Sequence, residues 1–123
     1  MKTNGVKLTA AFLLSILTGG IASAQDPSFV LANNTGFTVY SVYIWPTGDA
    51  SPGPDRLGNA TISSGDIYAF MPEDDACRFN IRVTLAETDD VMQWNNVNLC
   101  RMSTLTLNYN YLDQNLTAST RGR

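Results

Sequence analysis

Histidine is absent from this chain, and its two lysines, Lys2 and Lys7, both lie at the very start. Without histidine there is no Ser-His-Asp or Cys-His relay. Nor is there an imidazole to complete a zinc site around two cysteines. Without lysine beyond Lys7, no ammonium is available to form a Schiff base or to activate a serine. Thiols are nearly as scarce: Cys77 and Cys100 are the only cysteines. Their spacing is far from the C-x-x-C of a redox pair. No apolar run reaches the ~20 residues of a spanning helix. Internal repeats and long Pro- or Gly-rich linkers are also missing.

What is present begins with MKTNGVKLTAAFLLSILTGGIASAQ. Basic Lys2 and Lys7, an apolar stretch from Leu8 to Leu17 and the small residues Ala22-Ser23-Ala24 follow the order of a secretory signal peptide. This predicts a signal over residues 1–24, with cleavage between Ala24 and Gln25. No twin arginine precedes the apolar run, and no cysteine follows the junction to take a lipid, so no stable membrane anchor is expected after cleavage. The expected location is periplasmic or secreted. Residues 25–123 carry six arginines against eleven acidic residues, leaving a formal charge of −5. Scattered arginines on an acidic chain argue against nucleic acid, which requires clustered positive charge. Anionic membrane surfaces are disfavoured for the same reason.

The remaining pattern is that of strands. In Cys77–Glu87, apolar Phe79, Ile81, Val83 and Leu85 alternate with Arg78, Asn80, Arg82 and Thr84, the period of a half-buried strand. Thr88-Asp89-Asp90 is turn material, and Val91–Trp94 begins a return strand. A two-residue turn at Thr88-Asp89 would set Glu87 opposite Asp90, Val83 opposite Trp94 and Cys77 opposite Cys100. Trp94 and the pair Val97/Leu99 then have opposite parity. A bulge at Asn95-Asn96 would return all three to one side and make the cysteines diagonal. Either arrangement puts Cys77 and Cys100 within disulfide reach.

Further strands are read at Phe29–Leu31, at Phe37–Trp45 (apolar on both faces), at Ala60–Ile62, at Ile67–Phe70 and at Thr104–Tyr109. Thr47–Asn59 is a turn-rich loop. The fold class is therefore all-β, a small antiparallel sandwich or open barrel of about six to eight strands with one disulfide. The β-domain is expected over 25–112, and the polar residues 113–123 are expected to form a flexible C-terminal tail.

Several short motifs recur along this frame: N-x-T-G at Asn33–Gly36, Asp55-Arg56-Leu57-Gly58, Ser64-Gly65-Asp66, Cys77-Arg78-Phe79-Asn80-Ile81-Arg82-Val83, and Trp94…Val97-Asn98-Leu99-Cys100. Together they resemble a family of small exported proteobacterial proteins with a single disulfide and no assigned activity. Asn80 stands where that pattern commonly has Asp, and Ser64 where it commonly has Pro. The resemblance implies a periplasmic β-domain without established catalysis.

Three functions are compatible with these residues. The first is a non-catalytic binding or interaction module for a protein partner or a cell-envelope glycan, using no cofactor. Tyr40, Tyr43, Trp45, Tyr68, Tyr109 and Tyr111 supply the amphipathic rings common at such surfaces. The ligand loop is expected at Trp45, Asp49, Asp55 and Asn59. The second is a calcium module in which Asp49, Asp55, Asn59 and loop carbonyls offer oxygen ligands. Their spacing matches no EF-hand, and no metal site is assigned. The third is a carboxylate hydrolase using Asp74-Asp75 or Asp89-Asp90, although adjacent turn residues diverge rather than flank a cleft. N-x-T sequons occur at Asn33, Asn59 and Asn115.

Overall fold

The computed structural model describes residues 26–123, so the signal segment and the Ala24–Gln25 junction lie outside the described residues. Seven strands follow one another: β1 (Phe29–Asn34), β2 (Val39–Pro46), β3 (Ile67–Phe70), β4 (Arg78–Leu85), β5 (Val91–Asn98), β6 (Met102–Asn110) and β7 (Asn115–Gly122). One 3-10 turn, Leu99–Arg101, links β5 to β6. The strands form a four-stranded sheet, β3-β1-β6-β7, and a three-stranded sheet, β2-β4-β5. Every pairing is antiparallel except that of β1 with β6.

The sheets enclose one core. Leu31, Leu105, Leu107 and Leu116 come from the first; Val42, Ile44, Phe79, Ile81, Val83 and Leu85 come from the second. The alternation of β4 is realised as read: its four apolar residues are buried and Arg78, Asn80, Arg82 and Thr84 face outward. The protein is a small β-sandwich.

Four local readings change. β2 is apolar on both parities because a bulge at Tyr40 resets its phase: Val39 pairs with Leu85, yet Ser41 pairs with Thr84. The extra residue sends Val39 inward with Val42 and Ile44, and leaves Tyr40 exposed. Ala60–Ile62 is not a strand. Ile62 makes a single bridge to Val39, with both backbone hydrogen bonds formed, and buries its side chain.

The β4–β5 turn is longer than two residues. The Leu85 N–H donates to the Asp90 carbonyl at 2.9 Å, so Ala86–Asp89 form the loop and Ile81, rather than Val83, faces Trp94. Glu87 is drawn out of the ladder because its carboxylate accepts from the Thr38 N–H (2.7 Å) and hydroxyl (2.8 Å). The fourth change is at the C-terminus. The segment 113–123 is not a tail: β7 pairs with β6 from Asn110↔Asn115 to Met102↔Gly122 and buries Leu116. Its single buried leucine gave too weak an alternation to mark a strand.

The expected bulge at Asn95-Asn96 is present. Ile81 faces Trp94 and Phe79 faces Val97, so Asn80 stands opposite both asparagines. Asn96 has φ 58°, and its N–H donates to Asn80 Oδ1 at 3.0 Å. The slip makes Cys77 and Cys100 diagonal, and they are disulfide-bonded with Cα atoms 5.2 Å apart. Closing this loop stabilises the fold by about 3 kcal/mol in the chain-entropy account.

Candidate functional site

The loop proposed from sequence to hold a ligand is a clasp on the free edge of β2. Asp55 Oδ1 accepts from the N–H of Val42 (2.9 Å) and of Leu57 (3.0 Å). The Arg56 N–H donates to the Val42 carbonyl (2.7 Å), and its guanidinium donates to the Ile44 carbonyl (2.6 Å). Leu57 is buried beneath. An unpaired strand edge exposes a row of donors and acceptors, and Asp55-Arg56-Leu57 occupies that row.

Trp45, expected to face outward, is only 6 % exposed, and the Arg82 guanidinium lies 5.2 Å from its ring centroid. Asp49 and Asn59 are exposed. Among the described residues no three Asp, Glu, His or Cys side chains gather where they could hold a metal ion. Of the four loop residues, Asp55 and Trp45 are thus engaged within the fold.

Other motif residues also close backbone gaps. Asn33 is 1 % exposed; its Nδ2 donates to the carbonyls of Phe37 and Ile62, each at 2.8 Å. Its Oδ1 accepts from the N–H and hydroxyl of Thr35. The Asn33 amide is thus fully engaged and cannot serve as a sequon in the folded protein, whereas Asn59 and Asn115 are exposed. Asn98 Oδ1 accepts from the Cys100 N–H at the start of the 3-10 turn. An aspartate at position 80 would present the same acceptor to Asn96 that Asn80 does.

A different place gathers aromatic and polar groups without consuming them. At the end of the sandwich opposite the disulfide, Phe37, Thr88, Asp90, Tyr109, Tyr111 and Gln114 line an open cleft of about 420 Å³. That volume falls within the ~300–1,000 Å³ usual for small-ligand sites. Three segments meet there: the turn after β1, the β4–β5 loop and the β6–β7 hairpin.

The rings pack edge to face. Phe37 and Tyr109 have centroids 5.0 Å apart at 78°, and Tyr109 and Tyr111 are 5.1 Å apart at 66°. The Tyr111 hydroxyl donates to the Thr35 carbonyl at 2.7 Å, yet the residue remains 63 % exposed. Gly36, at φ 85°, permits this approach: a Cβ there would collide with the Tyr111 hydroxyl. The Glu87 carboxylate bonds Thr38, and the Ala86 N–H donates to the Thr38 carbonyl, holding two walls together. Those bonds from Thr38 keep Glu87 below its ordinary pKa.

Asp90 is the one carboxylate in the lining. Its Oδ2 is enclosed and accepts no well-formed hydrogen bond among the described residues, and the Tyr109 hydroxyl is the donor beside the carboxylate. Burial raises the Tyr109 pKa, and hydrogen bonding to Asp90 and the charge of that carboxylate add to the shift in the same direction. A carboxylate oxygen withdrawn from water without a donor is costly. Arg56 Nε is the other enclosed, unpartnered group, but it belongs to a guanidinium already bonded to Ile44 and 3.9 Å from Asp74. Asp74 and Asp75 lie on the β3–β4 loop, so the two acidic pairs considered for hydrolysis do not converge on the cleft.

Tyr109, Tyr111 and Asp90 were all visible in the sequence, but their convergence was not. Reading 113–123 as a tail removed the hairpin that places Tyr111 and Gln114. The signal that could have found it is the alternation Leu116/Ala118 after the turn-prone Asn110–Gln114.

No family model matches the chain, and no curated protein does. Among solved structures it is similar to the NMR structure of a protein from Eubacterium rectale, with a TM-score of 0.58 and 14 % identity over 80 % of this chain and 91 % of that one. At that identity the likeness concerns the fold alone.

Proposed function

We propose that this chain is an exported, non-catalytic β-domain that acts by contact, engaging a protein or envelope glycan through the Phe37–Tyr109–Tyr111 cleft. The observation that carries the reading is the pairing of open aromatic faces with a single carboxylate, Asp90, in a lining that holds no arginine to neutralise it. Sites of this composition use rings for area and a few polar groups for orientation. Export is supported by the signal-like order of residues 1–24 and by a disulfide suited to an oxidising compartment. Among the described residues no helix is long and apolar enough to cross a membrane.

The test is capture from a periplasmic extract by tagged residues 25–123. Tyr111→Ala should abolish recovery of the enriched partner or glycan while the melting temperature falls only slightly. Clean pull-downs that enrich nothing, or capture unaffected by Tyr111→Ala, reject the cleft as the contact surface.

A further inference from the structure

We propose that the cleft recognises a primary alkylammonium group, with the Asp90 carboxylate accepting its N–H and the aromatic rings facing its charge; this rests on the contact reading above. The lining supplies acceptors and π faces: Asp90, the Gln114 amide, the Thr88 hydroxyl and three rings, with no arginine among them. An aromatic face attracts a cation, most strongly where water is displaced. Because the Tyr111 hydroxyl is committed to the Thr35 carbonyl, that residue offers its ring.

An anion would meet Asp90 with no compensating cation, so phosphate and carboxylate ligands are disfavoured. An ammonium group answers both features at once: it carries N–H donors and a charge for the carboxylate, and a charge for the rings. A quaternary ammonium answers only the second. The net charge of the chain favours the approach of a cation. Residues 26–123 contain no lysine, so another copy of this folded domain brings no lysine ammonium to the cleft. The group belongs to a different molecule, either a free amine or a lysine side chain on a partner.

The experiment is a titration followed by backbone amide NMR, on protein recovered from the periplasm after expression of the full chain. The probes are butylammonium, Nα-acetyl-lysine amide, tetramethylammonium and n-butanol at constant ionic strength. Saturable shifts should centre on the amides of Thr88, Asp90, Tyr109, Tyr111 and Gln114 with the two primary ammonium probes, more weakly with tetramethylammonium and not with n-butanol. Tighter binding of the lysine derivative assigns the group to a partner's side chain, and tighter binding of butylammonium to a free amine; either supports the proposal.

Asp90→Asn, which keeps shape and backbone bonds, should weaken binding by about tenfold or more with unperturbed spectra elsewhere. Shifts that never saturate, that n-butanol reproduces, or that survive Asp90→Asn overturn the ammonium assignment. Capture that still depends on Tyr111 in that event leaves the contact reading standing. Loss of both defeats it as well.

Discussion

The segment around Trp45 and the Asp55–Leu57 clasp, and the cleft at Tyr109–Tyr111, draw on the same residue types, a carboxylate and aromatic rings, and they differ in how those side chains are occupied. In the clasp, Asp55 answers two backbone N–H groups and Trp45 lies under Arg82. In the cleft, one Asp90 oxygen accepts no well-formed hydrogen bond among the described residues and Tyr111 is open to solvent. Polar groups satisfied from within hold a fold together, and groups left unsatisfied by it are available to something else. The contrast separates the scaffold from the proposed site without reference to residue type.

Substitutions at three positions sharpen that contrast. The largest effect is expected for Trp45→Ala, because truncating a buried indole costs about 3 kcal/mol or more. Thermal melting should fall by roughly 15 °C in a domain of this size, while ammonium titration at low temperature still shifts the cleft amides. A Trp45→Ala protein that melts like the parent would return that residue to the list of contact candidates.

Next comes Asp55→Ala, which leaves the Val42 and Leu57 N–H groups without an acceptor and should cost about 2 kcal/mol. Asp55→Asn keeps the oxygen and should recover most of the loss. Added millimolar calcium should leave all three melting curves unchanged, and a calcium-dependent rise lost in Asp55→Asn would show that the clasp binds cations after all.

The smallest effect concerns the boundary between the two regions. Glu87 has its folded pKa lowered from 4.5 by the bonds from Thr38, so its contribution is complete above pH 4.5 and is lost as pH falls through the lowered value. Glu87→Gln removes the titrating charge. The melting-temperature difference between parent and variant should shrink from about pH 6 to about pH 3. A gap that stays constant or widens on acidification would mean that Glu87 does not hold the β4–β5 loop against Thr38.

The all-β class, the bulge at Asn95-Asn96 and the disulfide were legible because each leaves a short-range mark: period two, a parity fault and a cysteine pair. The cleft left none. Its members come from three turns whose meeting depends on the pairing of β6 with β7, and β7 carries little apolar contrast along TASTRG. Asp55 and Trp45 misled for a related reason. An acid in a Pro/Gly loop and an aromatic at a strand end look alike whether they face a ligand or a backbone, and the bonds that distinguish them reach across 13 residues to Val42 or across the sheet to Arg82. The motifs behind the family resemblance proved readable as folding devices: Asn33 seals a corner, Asp55 an edge and Asn80 a bulge.

The parallel pairing of β1 with β6 sets an order of events for the growing chain. Val30 finds its neighbour at Thr104 and Asn34 at Asn108, so the first of the described strands waits for nearly the last. Until β6 arrives, β1 has only the four-residue β3 beside it, too little to stand alone in water. Long-range pairings of this kind delay folding until the chain is almost entirely available. A polypeptide so arranged stays open along most of its length during synthesis, and closes into its final shape only once its far end has been made.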